Sequence, residues 1–207
     1  YLEAWKKLSK QERYVNSTLR GYEDASSQLK SLEGRIEFFD NIGLEMEKSK
    51  NIINDLRTKL SEGDFQDFRD SYRSNYLAVK NDIYSKVDEF LNSIENSIIQ
   101  KKNKINTLIA EGLITSARRT LKLDNPIDAV RQGMEALENI QEYDFLKNIT
   151  EKLIKRMKSS QENFGVQAPK EFSEGFNKVQ ILIHQGKYTN AIFEMHNLLS
   201  KFENLSD

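Results

Sequence analysis

Hydrophobic residues recur at helical spacing through the middle of the chain. From Phe65 the pattern advances by three, four and four residues as far as Ile109, and twelve of the thirteen positions reached are apolar. About five apolar positions would be expected without periodicity. The positions are Phe65, Phe68, Tyr72, Tyr76, Val79, Ile83, Val87, Phe90, Ile94, Ile98, Lys101, Ile105 and Ile109. This repeat predicts one uninterrupted α-helix of 45 residues, packed along its apolar face by other helices.

The first 62 residues carry a second apolar stripe, which we expect to cover the first. The stripe shifts by one residue after Leu29, which indicates either an irregularity in one long helix or a break between two helices. Gly34 and Gly43 lie near this shift, and both interpretations stay open. Its positions are Trp5, Leu8, Val15, Leu19, Tyr22 and Leu29, with misses at Glu12 and Ser26, and then Leu32, Ile36, Phe39, Met46, Ile53 and Leu60.

A firmer boundary lies at residues 61–64. Gly63 suits the position just after a helix, where a left-handed backbone is common, and Asp64 suits the N-cap of the next helix. These signals predict that two antiparallel helical segments meet here. Residues 1–111 are therefore predicted to form an elongated, coiled-coil-like helical hairpin.

Shorter helices are predicted from Gly112 onward. Asn125 and Pro126 suit the N-cap and first position of a helix, and Gly186 suits a turn between two helices. Residues 163–168 are predicted to form a loop, with Pro169 opening the next helix. Only two prolines interrupt the chain, so the whole of it is predicted to be all-α, with residues 112–207 forming a bundle of short helical hairpins.

A weak internal repeat appears when the sequence is shifted by 74 residues. The aligned pairs are Ile105 and Val179, Leu108 and Leu182, Ile109 and Ile183, Gly112 and Gly186, Thr115 and Thr189, and Ala117 and Ala191. Each copy is predicted to end a helix with an apolar pair, turn at Gly and continue with a small Ala. Residues 105–205 thereby resemble tetratricopeptide-type helical hairpins. The resemblance implies stacked helical hairpins and binding of a peptide or protein.

Composition removes several classes of chemistry. The 207 residues include no Cys, so disulfides, thiolate zinc sites, iron–sulfur clusters and cysteine nucleophiles are excluded. The net charge is −1, which disfavours a globally basic nucleic-acid-binding protein. No apolar run approaches the length of a transmembrane helix, and we expect a cytoplasmic protein.

The chain shows no recognisable catalytic or cofactor motif. Its two histidines, His184 and His196, have apolar neighbours and lack further ligands at helical spacing, so we interpret both as packing or surface residues. No glycine-rich phosphate loop and no nucleophile motif occur. We therefore expect a protein that is not an enzyme and that has no catalytic, metal or cofactor site.

Positive charge concentrates in residues 101–160, which carry 12 basic and 8 acidic groups. The candidate partner-binding residues are Lys101, Lys102, Lys104, Arg118, Arg119, Lys122, Lys152, Lys155, Arg156 and Lys158. One interpretation is a surface for an acidic protein, nucleic acid or anionic lipid. The interpretation we favour is a set of solvated helix faces.

Aromatic residues cluster at the start of the long predicted helix, at Phe65, Phe68, Tyr72 and Tyr76, with Arg69 and Arg73 between them. Aromatic and basic residues together can stack on single-stranded bases. The aromatic residues lie on the apolar stripe, however, while the arginines point about 100° away. Core packing is therefore the favoured interpretation, and a small aromatic-lined ligand cavity is the alternative.

The combined pattern predicts a non-enzymatic protein that acts through protein–protein interaction or as a scaffold. Partners would be recognised by helix faces, with apolar anchors giving affinity and charges giving orientation. Self-association is also expected, since long apolar stripes need covering. A nucleic-acid-associated protein using residues 101–158 and a small-molecule-sensing helical bundle are the alternatives.

Overall fold

The computed structural model describes residues 2–164 and 169–202, and these residues form helices with no strand among them. The all-α prediction is therefore confirmed. Eight helices are described: α1 Leu2–Asn41, α2 Glu47–Ser61, α3 Phe65–Lys101, α4 Leu108–Lys122, α5 Pro126–Asn139, α6 Asp144–Phe164, α7 Lys170–His184 and α8 Tyr188–Phe202. The predicted loop at 163–168 is wrong for residues 163 and 164, which belong to α6, and residues 165–168 lie outside the described residues. Helix α7 begins directly after Pro169, as expected.

The helices group into two compact units. Unit 1 comprises Tyr1–Phe39 and Glu45–Ile83, and unit 2 comprises Asp40–Leu44 and Tyr84–Asp207. Helix α3 contributes residues to both units. The division into 1–111 and 112–207 that the sequence suggests stays a prediction.

The first 62 residues form two helices instead of one long irregular helix. Helix α1 ends at Asn41 and α2 begins at Glu47. Gly43 lies between them with a φ of 84°, a left-handed backbone that glycine adopts readily. Gly34, the other candidate, lies inside α1. The one-residue shift of the apolar stripe therefore does not mark the break, which comes several residues later.

The predicted boundary at residues 61–64 is confirmed in its details. Helix α2 ends at Ser61 and α3 begins at Phe65. Gly63 has a φ of 77°, and the Asp64 carboxylate accepts a hydrogen bond of 3.1 Å from the Asp67 backbone N–H. The carboxylate thus satisfies one of the free N–H groups at the start of α3.

In unit 1, α1 and α3 run in the same direction. The ring of Tyr22 meets that of Phe65 at 6.0 Å, edge to face, and further along both helices Arg35 donates a 3.2 Å hydrogen bond to the Tyr76 hydroxyl. Residue numbers therefore increase together along the two helices.

Helix α2 runs in the opposite direction to α3 in the same unit. Near their connection Lys59 donates to the Ser71 hydroxyl at 3.4 Å, and at the other end Ser49 donates to the Asp82 carboxylate at 2.5 Å. Ser49 and Asp82 are both buried, so this hydrogen bond satisfies polar groups inside the apolar core. The coiled-coil form of this hairpin stays a prediction.

The α3 stripe is buried at Phe68 and from Val79 to Ile98, with Tyr72 and Tyr76 half-buried between them. The helix is nevertheless shorter than predicted. It contains 37 residues and ends at Lys101, the one polar position of the stripe. The backbone N–H groups of Lys104 and Ile105 both bond to the Lys101 carbonyl oxygen. Asn106 then accepts a 3.1 Å hydrogen bond from the Leu108 N–H at the start of α4. Local side-chain capping therefore starts a new helix where periodicity predicted continuation.

The stripe predicted along α1 is covered over part of its length. Leu29, Leu32, Ile36 and Phe39 are buried. Three positions nearer the N-terminus are substantially exposed: Val15 at 53%, Leu19 at 54% and Tyr22 at 46%. This part of the predicted stripe is therefore not covered by the described side chains of unit 1. The side chains of Trp5 and Leu8 lie outside the described residues.

Unit 2 is built around α8 and the second part of α3. Helix α4 packs against α5, while α8 packs against α5, α6 and α7. The Phe90 ring of α3 contacts the Phe145 ring of α6 at 5.4 Å, and the Phe172 ring of α7 contacts Phe202 of α8 at 5.6 Å. These contacts bury the apolar faces of helices that would be unstable alone.

Two helix starts in unit 2 depend on specific caps. The Asn125 side chain accepts a 3.2 Å hydrogen bond from the Asp128 N–H, with Pro126 next to it, as predicted. At the start of α8 the cap comes from another helix, because the Glu138 carboxylate of α5 accepts from the Thr189 N–H at 2.5 Å. This second cap fixes α8 to α5 as well as satisfying its backbone.

The two halves of the internal repeat have different structures at their glycines. Gly186 lies in the turn between α7 and α8 with a φ of 73°, as predicted. Gly112 was predicted to make the equivalent turn, and this is wrong because it lies inside α4. Leu108 and Ile109 accordingly begin a helix instead of ending one. The tetratricopeptide-like character of residues 105–205 stays a prediction.

Gly133 of α5 marks a close approach to α3. A Cβ atom at this position would lie 2.9 Å from Phe90 Cε1, 3.0 Å from Leu91 Cδ2 and 3.1 Å from Ile94 Cδ1. By contrast, a Cβ at Gly112 would meet nothing within 4 Å. Gly112 and Gly133 therefore differ in the space beside them.

We expect Gly133→Ala to lower the free energy of unfolding by about 1 kcal/mol, since overpacking outweighs the better helix propensity of Ala. Gly112→Ala should raise it by about 0.5–1 kcal/mol, since it gains propensity without a clash. Urea unfolding followed by circular dichroism measures both. Equal effects of the two substitutions would contradict the close approach.

Candidate functional site: the cleft between α3 and α4

A cleft of about 270 Å³ lies between the end of α3 and the start of α4 in unit 2. Ile98 and Ile114 are buried and form apolar lining, whereas Ile99 is 68% exposed. The cleft is lined by Glu95, Ile98, Ile99, Lys102, Glu111, Ile114 and Thr115. It thus combines apolar walls with a small number of charged groups, as binding clefts commonly do. We call it the α3–α4 cleft.

An ion pair at this cleft joins α4 to the residue that follows α3. The Lys102 ammonium lies 3.1 Å from the Glu111 carboxylate, which also accepts a 2.8 Å hydrogen bond from the Thr107 hydroxyl. The hydrogen bond from Thr107, and then that from Lys102, lower the pKa of Glu111. Glu111 is therefore ionised at neutral pH and holds Lys102 beside the cleft.

A second charged group fixes α4 to α3. The Arg118 guanidinium donates to both carboxylate oxygens of Glu95, at 2.8 and 2.7 Å, and also to Asp88 at 2.7 Å and Asn92 at 2.6 Å. The hydrogen bond from Arg118 is the main cause of the lowered pKa of Glu95. The two-pronged geometry suits arginine and fixes the orientation of the carboxylate.

Four of the ten predicted basic residues are engaged within unit 2. Besides Lys102 and Arg118, Lys101 pairs with Glu142 at 2.8 Å, and Arg156 donates to the Asn41 side chain at 2.9 Å. The other six are exposed: Lys104, Arg119, Lys122, Lys152, Lys155 and Lys158. The structure brings Lys102 and Arg118 to the same cleft through Glu111 and Glu95. A partner-binding role for the ten residues stays a prediction.

The aromatic residues at the start of α3 pack against one another. Phe68 is fully buried and stacks on Tyr72 with ring centres 5.6 Å apart, and Tyr72 lies 6.3 Å from Tyr76. Burial is the main cause of the raised pKa of Tyr72. Arg35 of α1 contacts this row, with its guanidinium 5.8 Å from the Tyr76 ring.

The histidines and carboxylates do not gather into a metal site in the described part of the chain. No group of three or more potential ligands has a suitable arrangement there. His184 is the last residue of α7 and is exposed, and His196 of α8 has its Nε2 atom 3.4 Å from the Ser200 hydroxyl.

Within the described residues, none of the helices combines the length and apolar character that crossing a membrane requires.

Sequence reasoning missed the apolar part of the cleft. Ile98 belongs to the predicted stripe, and Ile99 lies one residue outside it, about 100° round the helix. The position of Ile99, an apolar residue on the polar side of an amphipathic helix, was the sequence signal that could have indicated the cleft. Glu95 and Glu111 gave none, because abundant carboxylates on helices are usually solvated.

Comparison of this chain with protein-family models, with curated proteins and with solved structures gives no match.

The Arg118 network makes a testable contribution to stability. We expect Arg118→Met to cost about 1 kcal/mol more at pH 7 than Arg119→Met, because Arg119 is exposed and has no described ion pair. The pKa of Glu95 is lowered in the folded protein, so its contribution is complete above the unfolded value of about 4.3. The difference between the variants should shrink as the pH falls through the lowered pKa. Urea titrations across this range measure it, and a difference independent of pH would contradict the role of Glu95.

Proposed function

We propose that this chain is a non-enzymatic, helical protein-interaction protein that binds a protein partner at the α3–α4 cleft. The observation that carries the proposal is the apolar interior of this cleft next to Ile99, which is 68% exposed. Exposed apolar surface beside a concave site is typical of a place where a partner binds.

The size of the cleft suits one apolar anchor from the partner. A volume of about 270 Å³ is enough for a single large side chain, such as that of Leu, Phe or Trp. Binding energy at protein interfaces is concentrated in a few such anchors in well-packed pockets. Ile98, Ile99 and Ile114 would supply the apolar contacts for it.

The charged groups beside the cleft would orient the partner. Lys102 and Glu111 neutralise each other at 3.1 Å, and Arg118 neutralises Glu95. A partner therefore meets paired charges and needs no strong net charge of its own. This arrangement favours recognition by shape and apolar contact over attraction to an acidic surface such as nucleic acid.

The test is selection of short helical peptides from a displayed library against the intact chain. Affinities of the selected peptides would then be measured for the wild type, Ile99→Glu and Ile181→Glu. Ile181 is a matched control because it is also exposed, at 57%, inside a helix of unit 2, but does not line the cleft. Ile99→Glu should weaken binding about tenfold or more, since it places a charge at the apolar wall.

The control should leave the affinity of the same peptides unchanged. Circular dichroism would verify that both variants keep their helical content. If no peptide is selected, or if Ile99→Glu and Ile181→Glu have equal effects on every peptide, the cleft is not the binding site and the proposal fails.

A further inference from the structure

Unit 1 has an exposed apolar surface on α1 that is separate from the α3–α4 cleft. Val15, Leu19 and Tyr22 are 53%, 54% and 46% exposed. Their spacing of four and three residues places them on one face of the helix. We call these three residues the α1 stripe.

Among the described side chains, the packing of unit 1 reaches this face at its C-terminal end. Tyr22 contacts Phe65, the first residue of α3, and Ala25 is the first buried hydrophobic residue of α1 in the described part. Because Tyr22 lies level with the first residue of α3, Val15 and Leu19 lie on the part of α1 that extends past the start of α3. Apolar side chains at three successive positions of one helical face indicate an interaction surface.

One edge of the α1 stripe carries negative charge. Glu12 and Glu23 are eleven residues apart, which is close to three helical turns, so both lie along the same edge. Both are exposed, and neither forms an ion pair with a side chain that the structure describes. The opposite edge carries the uncharged Gln11 and Thr18.

We propose that the α1 stripe binds an amphipathic helix of a partner protein that carries Lys or Arg along one edge of its own apolar face. The partner's apolar residues cover Val15, Leu19 and Tyr22, and its basic residues pair with Glu12 and Glu23. This is the helix-on-helix form of recognition, in which residues beside the apolar face set the choice and direction of the partner.

A second copy of this chain fits the same face poorly. In a parallel pair, the edge that carries Glu12 would lie beside the uncharged edge of the copy, so Glu12 would gain no ion pair. In the antiparallel register that places Val15 on Leu19, Glu12 would come beside Glu23 of the copy. Like charges at such flanking positions destabilise helix pairing. Charge therefore favours a basic partner over self-association.

The probe is a pair of synthetic amphipathic peptides, each with a leucine stripe. One has Lys at two edge positions eleven residues apart, and the other has Glu at those positions. Fluorescence anisotropy with the intact chain measures their affinities. We expect the lysine peptide to bind more tightly, by about two- to fivefold for each ion pair, with the difference reduced at high salt.

Neighbouring residues provide a matched control. Glu23→Gln and Asp24→Asn each remove one negative charge, but Asp24 lies about 100° further round α1, away from the α1 stripe. Glu23→Gln should weaken binding of the lysine peptide about two- to fivefold, and Asp24→Asn should leave it unchanged. Val15→Ser combined with Leu19→Ser should abolish binding of both peptides.

Equal affinity for the two peptides, equal effects of Glu23→Gln and Asp24→Asn, or no binding at all would overturn the proposal. Sedimentation velocity gives a further outcome. If the chain forms a dimer that Leu19→Ser disrupts, a second copy occupies the α1 stripe and the proposal is wrong. Because the α1 stripe and the α3–α4 cleft share no residues, Ile99→Glu should not change binding of the lysine peptide.

Discussion

Burial of one face of α3 is the constraint on which the rest of the structure depends. The helix contributes to both compact units, and its stripe is buried at Phe68 and Val79 in unit 1 and at Val87 and Ile98 in unit 2. An apolar face of this length must be covered by other helices, since a hydrophobic stripe in water is costly. Neighbouring helices adapt to it, most closely at Gly133, where a side chain on α5 would collide with α3.

The fold class and several helix boundaries could be predicted because they depend on local chemistry. Gly63 adopts a left-handed backbone, Asp64 caps α3 and Asn125 caps α5, each through interactions within a few residues. The end of α3 was harder to predict, because the apolar period continues past it while the Asn106 side chain accepts a hydrogen bond from the Leu108 N–H and starts α4. The predicted turn at Gly112 was wrong for a related reason. Glycine permits a turn but does not require one, and Gly112 lies within helix α4.

The candidate sites could not be predicted because periodicity does not report what covers a face. Val15 and Leu29 belong to the same sequence stripe, yet the first is exposed and the second is buried. The difference arises from where α3 begins, which is a property of tertiary packing. Ile98 and Ile99 are adjacent in sequence, yet the first is buried and the second is exposed, which the apolar pattern alone does not predict. The two proposed binding surfaces are positions where the apolar pattern extends beyond the helices available to bury it.

Charge has two roles, which composition alone does not separate. From the sequence, Arg118 and Lys102 could be unpaired cations, but they form ion pairs with Glu95 and Glu111. These ion pairs stabilise the position of α4 beside the end of α3. Glu12 and Glu23 looked like ordinary surface carboxylates, but they flank exposed apolar residues and have no described ion pair. A charge that is already paired within the protein gains little from an ion pair with a partner, whereas an unpaired charge beside apolar surface can discriminate between partners. Recognition is therefore better sought beside exposed apolar residues than where basic residues are most numerous.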